Sequence, residues 1–137
     1  MPDRILEIRD LTAGYGQSEV LHGVSMEVAA GEIVTMVGAN GAGKSTSLRS
    51  VFGLTDIREG TIRFRGQDIT GLRSHYLVAF GLALVPQERS IFPSLTVYEN
   101  LEMGGFTLRG EDVRVHIEKV FARFPRLKER CRQKAGT

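Results

Sequence analysis

Runs of apolar residues along the chain predict five β-strands. Apolar residues recur along Arg4–Leu11 and Val20–Val28, which indicates two strands of an antiparallel flank. Gly60–Gly66 alternates apolar with basic residues, as a half-exposed strand does. Glu32–Val37 and Leu82–Val85 are mostly apolar, and each predicts a buried strand of a parallel sheet.

Two helices are predicted between these strands. Lys44–Phe52 carries apolar residues at helical spacing and ends before Gly53, a residue suited to a helix C-cap. Its apolar positions are Leu48, Val51 and Phe52. Ser74–Phe80 is predicted to be the second helix, which Gly81 ends.

The last third of the chain predicts helices only. Thr96 and Glu99 form a capping-box pattern, in which each side chain accepts the backbone N–H of the other, at the start of a helix over residues 96–103. Residues 111–123 predict an amphipathic helix with acidic residues in its first turn. Its apolar positions are Val113, Ile117, Val120 and Phe121, followed by Phe124. A final helical piece is predicted over Pro125–Lys134.

A glycine-rich motif lies between the predicted strand at 32–37 and the first predicted helix. Gly38-Ala-Asn-Gly-Ala-Gly-Lys-Ser-Thr46 matches the pattern G-x-x-x-x-G-K-[ST]. Glycine allows positive φ and close backbone approach, so we expect the loop amides and the helix N-terminus to surround a nucleotide phosphate. Lys44 is predicted to contact the β- and γ-phosphates, and Ser45 to ligate Mg²⁺. The predicted nucleotide-binding residues of this loop are Gly38, Asn40, Gly41, Ala42, Gly43, Lys44, Ser45 and Thr46.

Composition narrows the class of protein. The chain has 137 residues, 42% of them hydrophobic and 25% charged, which suits one modest core in one domain or part of one. No apolar run approaches the ~20 residues of a membrane span, and the N-terminus lacks the apolar core of a signal peptide, so we expect a cytoplasmic location. Cys131 is the single cysteine, which excludes an intrachain disulfide.

Basic residues crowd the C-terminal end of the chain. They are Lys119, Arg123, Arg126, Lys128, Arg130, Arg132 and Lys134. A nucleic-acid patch is one interpretation, but aromatic side chains do not interleave with these cations as base-stacking platforms. A solvated helical face is therefore favoured, and no nucleic-acid partner is expected.

Four features together resemble the ATP-binding cassette of ABC transporters, over essentially the whole chain. They are Tyr15, the loop 38–46, Val85–Gln87 and Ile91–Leu101. The resemblance implies an α/β fold, in which a P-loop NTPase core with an antiparallel β flank covers residues 1–95 and the start of a helical subdomain covers residues 96–137. It also implies that ATP is the nucleotide and that Tyr15 stacks on its adenine.

The resemblance further implies a transport ATPase. Lys44 and Gln87 would then be the catalytic residues, with Gln87 contacting Mg²⁺ and the attacking water. Two cassette subunits would sandwich two MgATP and drive transmembrane permease subunits at the inner face of the plasma membrane. Phe92, Pro93 and Tyr98 are predicted to dock on the permease, although packing within the helical subdomain would also explain the two aromatic residues. Residues 91–105 are most similar to the ATP-binding subunits of high-affinity branched-chain amino acid importers.

Several motifs of a complete cassette are not found in these residues. A signature loop, a Walker B aspartate with its catalytic glutamate, and a switch histidine would be expected further along the chain. Met103-Gly-Gly105 lacks the serine of a signature loop. We therefore expect an incomplete cassette with open sheet edges, in which residues 1–137 alone hydrolyse ATP negligibly.

Three other functions compete with the transport ATPase. One is an ATP-binding remnant without turnover, and another is a soluble ABC ATPase of DNA repair or translation, which the compact helical stretch after Thr96 disfavours. The third is a GTPase, because Asp68-Ile-Thr-Gly71 matches D-x-x-G, but no N-K-x-D guanine-binding motif follows.

Overall fold

The chain divides into two compact units. The computed structural model describes residues 3–88, 90–108 and 111–137, with only the backbone of Glu111. The first unit covers residues 1–84 and the second covers residues 85–137. The predicted domains, residues 1–95 and 96–137, stay predictions of the sequence.

A four-stranded antiparallel sheet forms the frame of the first unit. The strand order is β2-β1-β3-β4, and each neighbouring pair is antiparallel. The strands are β1 (Arg4–Tyr15), β2 (Ser18–Ala29), β3 (Asp56–Phe64) and β4 (Gln67–Asp68). The predicted antiparallel flank is confirmed. β3 begins at Asp56 rather than Gly60 because Asp56 and Ile57 pair with Gly14 and Ala13.

The two predicted parallel strands are wrong. Residues 32–39 and 82–86 form no strand, and Ile33, Val37 and Val85 are 93%, 92% and 90% exposed. A strand needs a neighbour that takes up its backbone hydrogen bonds. Neither segment pairs with the sheet or with the other segment within the part of the chain that the structure describes.

The core of the first unit lies between the sheet and two helices, α1 (Lys44–Val51) and α2 (Ser74–Ala79). Both helices were predicted, and Gly53 and Gly81 follow them with positive φ. The core residues are Ile8, Leu11, Ala13, Leu21, Val51, Phe52, Ile62, Phe64, Ile69 and Leu77.

The predicted apolar side of α1 is wrong at one position. Leu48 is 46% exposed, whereas Ser47 and Ser50 are buried. Their hydroxyls donate to the carbonyls of Gly43 and Thr46 at 3.0 and 2.8 Å, so burial leaves no hydroxyl without a partner. Small polar side chains therefore let α1 lie close to the sheet.

The second unit is helical, as predicted. Its helices are α3 (Val97–Gly104), α4 (Glu111–Arg123) and α5 (Pro125–Glu129). The bounds of α4 agree with the prediction, although the Glu111 side chain predicted in its first turn lies outside the described residues. Ile117 and Phe121 of α4 are buried, while Phe124 is 53% exposed. No helix in the described ranges has an apolar stretch of the length that a bilayer crossing requires.

The last helix is shorter than predicted because its residues find other backbone partners. α5 ends at Glu129, and the chain beyond it lies along residues 93–98. Val97 N–H donates to the Gln133 carbonyl, and Ala135 N–H donates to the Leu95 carbonyl, both at 2.9 Å. These long-range hydrogen bonds replace the helical hydrogen bonds that the local sequence pattern predicts after Glu129.

The predicted capping box at the start of α3 is confirmed. Glu99 N–H donates to Thr96 Oγ1 at 3.2 Å, and Thr96 N–H donates to Glu99 Oε2 at 2.7 Å. The Thr96 N–H and the Thr96 hydroxyl, both donating to the carboxylate, hold the pKa of Glu99 below its ordinary value. Both donors of Thr96 therefore favour the ionised form of Glu99.

Removing the cap should destabilise the second unit. Thr96→Ala is expected to lower the free energy of unfolding by about 1 kcal/mol, because the N-terminal amide of α3 loses its acceptor. Urea denaturation followed by circular dichroism measures this change. Thr107→Ala removes the same atoms from an exposed turn and is the control. Equal effects of the two substitutions would contradict the assigned cap.

Candidate functional site

The glycine-rich loop turns into α1 through left-handed backbone. Gly41 and Gly43 have φ of +85° and +88°, and Gly43 is the N-cap residue of α1. A Cβ added at Gly43 would lie 2.7 Å from Leu21 Cδ2, whereas one at Gly41 would meet no atom within 4 Å. Gly38 does not adopt positive φ, so the conformation that only glycine readily adopts occurs at two of the three glycines of this loop. Within this loop, Gly43 therefore combines left-handed backbone with a close side-chain neighbour, the buried Leu21.

The first turn of α1 presents unbonded amides to the exposed loop. The N–H groups of Lys44, Ser45 and Thr46 have no acceptor among the described residues, since the first helical bond is donated by Ser47 N–H to the Gly43 carbonyl at 2.8 Å. Such amides carry the positive end of the helix dipole. Together they form a site that attracts an anion.

The Lys44 ammonium lies over the loop that precedes it. Its Nζ donates to the carbonyls of Gly38 at 2.5 Å and Ala39 at 2.7 Å. An ammonium has three donors, so one proton remains for a further acceptor. The loop thus holds a full positive charge beside the amides of α1, where a phosphate would be bound most strongly.

The other predicted loop residues divide into exposed and buried side chains. Asn40, Ala42 and Ser45 are exposed, and the Ser45 hydroxyl has no bonding partner within the described ranges. Thr46 is 8% exposed. No cluster of three or more His, Cys, Asp or Glu side chains that could hold a metal occurs among the described residues. The predicted Mg²⁺ ligands, Ser45 and Gln87, stay predictions.

Tyr15 lies beside the same helix. It ends β1 and is 40% exposed, and its hydroxyl accepts a long hydrogen bond from Arg49 Nη1 of α1 at 3.5 Å. This contact, and a weaker one from the Thr46 hydroxyl, hold the pKa of the Tyr15 phenol below its ordinary value. Arg49 is not among the site residues predicted from the sequence. Its shared helix face with Thr46, three residues earlier, was the one available signal.

The remaining predicted site residues lie in the second unit. Gln87 and Pro93 are exposed, and Phe92 is 49% exposed. Tyr98 is half-buried, with its ring 6.5 Å from the ring of Phe121, which favours packing as its role. The placement of Gln87 in one site with Lys44, and the docking role of these residues, stay predictions.

The D-x-x-G segment forms a turn after β4. Asp68 Oδ1 accepts the N–H of Thr70 at 2.9 Å. The Thr70 hydroxyl and this N–H lower the pKa of the Asp68 carboxyl. An Asp side chain that bonds the backbone two residues later is a common turn motif, so this segment has a structural explanation without GTP.

Known proteins share this sequence and fold. Residues 21–136 match the model of the family described as ABC transporter. The chain belongs to the ABC transporter family. Its first unit, with the phosphate loop and the antiparallel sheet, is part of a P-loop NTPase core of an ABC cassette. A nucleotide-free ATP-binding cassette from an ABC transporter superposes on 97% of the chain with a TM-score of 0.82 and 27% identity, over 58% of that structure.

Relatives within the ABC family differ in what they transport. The chain is 47% identical over 97% of its length to the high-affinity branched-chain amino acid transport ATP-binding protein BraG of Pseudomonas aeruginosa. It is 38% identical over 93% of its length to the probable branched-chain amino acid transport ATP-binding protein LivF of Archaeoglobus fulgidus. A lipopolysaccharide export ATP-binding protein, LptB of Haemophilus influenzae, is 43% identical over 71% of the chain. The chain spans 57%, 54% and 40% of these three relatives.

Glycine should be required more strictly at position 43 of the cassette than at position 41. Alanine at either position costs about 1 to 2 kcal/mol because of positive φ. Gly43→Ala adds overpacking against Leu21, at a further cost of about 1 to 3 kcal/mol. The free energy of unfolding in urea measures both. Gly41→Ala is the control, and equal destabilisation by the two variants would contradict the packing of Gly43 against β2.

Proposed function

We propose that this chain is the ATP-binding part of an ABC importer subunit, which binds and hydrolyses MgATP in a two-subunit sandwich to drive solute uptake. The observation that carries the proposal is the cradle formed by the Lys44 ammonium and the unbonded amides of Lys44, Ser45 and Thr46. One charged donor and several aligned N–H groups suit a triphosphate better than a singly charged ligand.

Each loop residue has a defined task in the proposed site. The amides of α1 bind the β-phosphate, and Lys44 exchanges a carbonyl of its own loop for an oxygen of the β- or γ-phosphate. The exposed Ser45 hydroxyl and the Gln87 amide are the ligands that we propose for Mg²⁺, and a bound Mg²⁺ would neutralise charge that develops on the phosphates. The half-exposed ring of Tyr15 is available to stack on adenine.

Hydrolysis requires more than binding. Lys44 stabilises the charge on the transferred phosphoryl group, and Gln87 orients the attacking water in the complete enzyme. Because the family's remaining catalytic motifs are not found in these residues, we expect negligible turnover from residues 1–137 alone. An ATP-binding protein without turnover is the second candidate function, and it shares the same cradle.

The proposed partner surface is the loop at residues 91–95. Asn100 fixes this loop, because its Oδ1 accepts Phe92 N–H at 2.8 Å and its Nδ2 donates to the carbonyls of Phe92 and Thr96 at 3.0 and 2.9 Å. A loop held in this way presents the half-exposed Phe92 ring at a defined position. An aromatic side chain on a rigid loop suits docking on a transmembrane permease subunit.

The proposed solute is a branched-chain amino acid. The support is the similarity to two proteins named for branched-chain amino acid transport. Export is the competing direction, favoured by the relative named for lipopolysaccharide export. The proposal places the subunit at the cytoplasmic face of the membrane, where ATP is available.

Lys44→Ala should weaken binding of MgATP. Loss of a charged hydrogen-bond donor to phosphate is expected to lower the affinity about tenfold to a hundredfold. Isothermal titration calorimetry with the full-length protein measures the affinity. Lys119→Ala removes an exposed lysine from α4 and is the control. Unchanged affinity of Lys44→Ala would contradict the assignment of the cradle.

The Lys44→Ala and Lys119→Ala variants also test, in cells, whether the transported solute is a branched-chain amino acid. With Lys44→Ala in the chromosomal gene, uptake of labelled leucine should fall to background, while Lys119→Ala should leave it unchanged. Normal leucine uptake by a Lys44→Ala strain whose protein binds MgATP weakly would contradict the branched-chain solute. The assignment of Lys44 to the ATP site would still stand.

A further inference from the structure

Arg49 connects the helix after the phosphate loop with Tyr15. It lies on the exposed side of α1, and its guanidinium reaches the Tyr15 hydroxyl at 3.5 Å. The Thr46 hydroxyl, one turn earlier in α1, also lowers the pKa of this phenol. The Arg49 side chain therefore connects α1 with the end of the tyrosine ring.

The backbone at Tyr15 is fixed by other residues. Gly16 N–H donates to Asp56 Oδ2 at 2.8 Å, and the Gly16 carbonyl accepts from Arg58 Nη2 at 2.9 Å. Arg58 also pairs with Glu19 at 3.2 Å on the opposite side of the hairpin turn. With the backbone held by β3, the remaining freedom of Tyr15 is rotation of its side chain, and the contacts to α1 restrict that rotation.

We propose that Arg49 is a positioning residue, which acts through the Tyr15 hydroxyl to hold the ring in the orientation that stacks on the adenine of ATP. The inference rests on the proposed function, because it requires ATP to bind at this loop. It adds a direct connection between the base platform and α1, whose N-terminus carries the phosphate cradle.

The expected effect is one of preorganisation. Without Arg49 the Tyr15 ring samples several rotamers before binding and must be ordered when adenine arrives. Ordering one such side chain changes affinity about two- to tenfold. Because the ring is proposed to contact the adenine and not the phosphates, binding of the phosphates to Lys44 and the α1 amides should be unaffected.

A double-mutant cycle on the full-length protein tests this inference. Affinities for MgATP and for magnesium tripolyphosphate are measured by calorimetry for the parent protein and for Arg49→Ala, Tyr15→Phe and their combination. Each single variant is expected to weaken MgATP binding about two- to tenfold. The double variant should be no weaker than Tyr15→Phe alone, because loss of the phenol hydroxyl already removes its contact with Arg49. Tripolyphosphate affinity should not change.

Arg73→Ala is the matched control. Arg73 is an exposed arginine of the same unit, and its side chain forms no hydrogen bond or ion pair with the described residues. This variant should bind both ligands as the parent protein does. Removal of Arg49 should also raise the pKa of the Tyr15 phenol towards its ordinary value in an ultraviolet titration, where Tyr15→Phe identifies the signal. Because unfolding would also raise this pKa, an unchanged tripolyphosphate affinity of Arg49→Ala is the readout that shows an intact fold.

Three results would overturn the inference. One is unchanged MgATP affinity in Arg49→Ala, and another is full additivity of the two single variants. The third is an equal loss of tripolyphosphate affinity, which would place Arg49 in the phosphate cradle. A parent protein that binds neither MgATP nor tripolyphosphate would instead overturn the proposed function, and this inference with it.

Discussion

Contact between Gly43 and Leu21 joins the phosphate loop to the sheet. Leu21 is buried in β2, and its Cδ2 would lie 2.7 Å from any Cβ at position 43. The left-handed backbone of Gly43 turns the chain into α1 at this point, so the direction of α1 and of its unbonded amides is set by packing on β2. That turn sets the positions of the residues in α1. Among them are Lys44, Thr46 and Arg49, which contacts Tyr15. The packed core, rather than the exposed loop, therefore fixes the positions of the amide donors in the proposed nucleotide site.

The sequence correctly predicted those parts of the structure that depend on residues close together in the chain. The capping box of Thr96 and Glu99 joins residues three apart, and the bounds of α4 follow its helical period. The phosphate-loop motif was equally local. Its left-handed glycines at 41 and 43 and its helix starting at Lys44 are present in the structure.

Prediction failed where the outcome depends on distant partners. Glu32–Val37 has the apolar content of a buried strand, but no neighbouring strand among the described residues takes up its backbone bonds. Residues after Glu129 bond along 93–98 instead of extending α5. The contact of Arg49 with Tyr15 joins residues far apart in the chain and could not be read from either segment. In each of these cases the decisive hydrogen bond is long-range, and single-sequence patterns do not encode it.

Backbone amide chemical shifts during a titration with MgATP test the central claim most directly, because they report the cradle residue by residue. The proposal predicts that the amides of Lys44, Ser45 and Thr46 shift most and saturate together, with Tyr15 following the same curve. If the shifts instead concentrate outside the loop 38–46, or if no amide of α1 changes at saturating MgATP, the assigned nucleotide site is wrong.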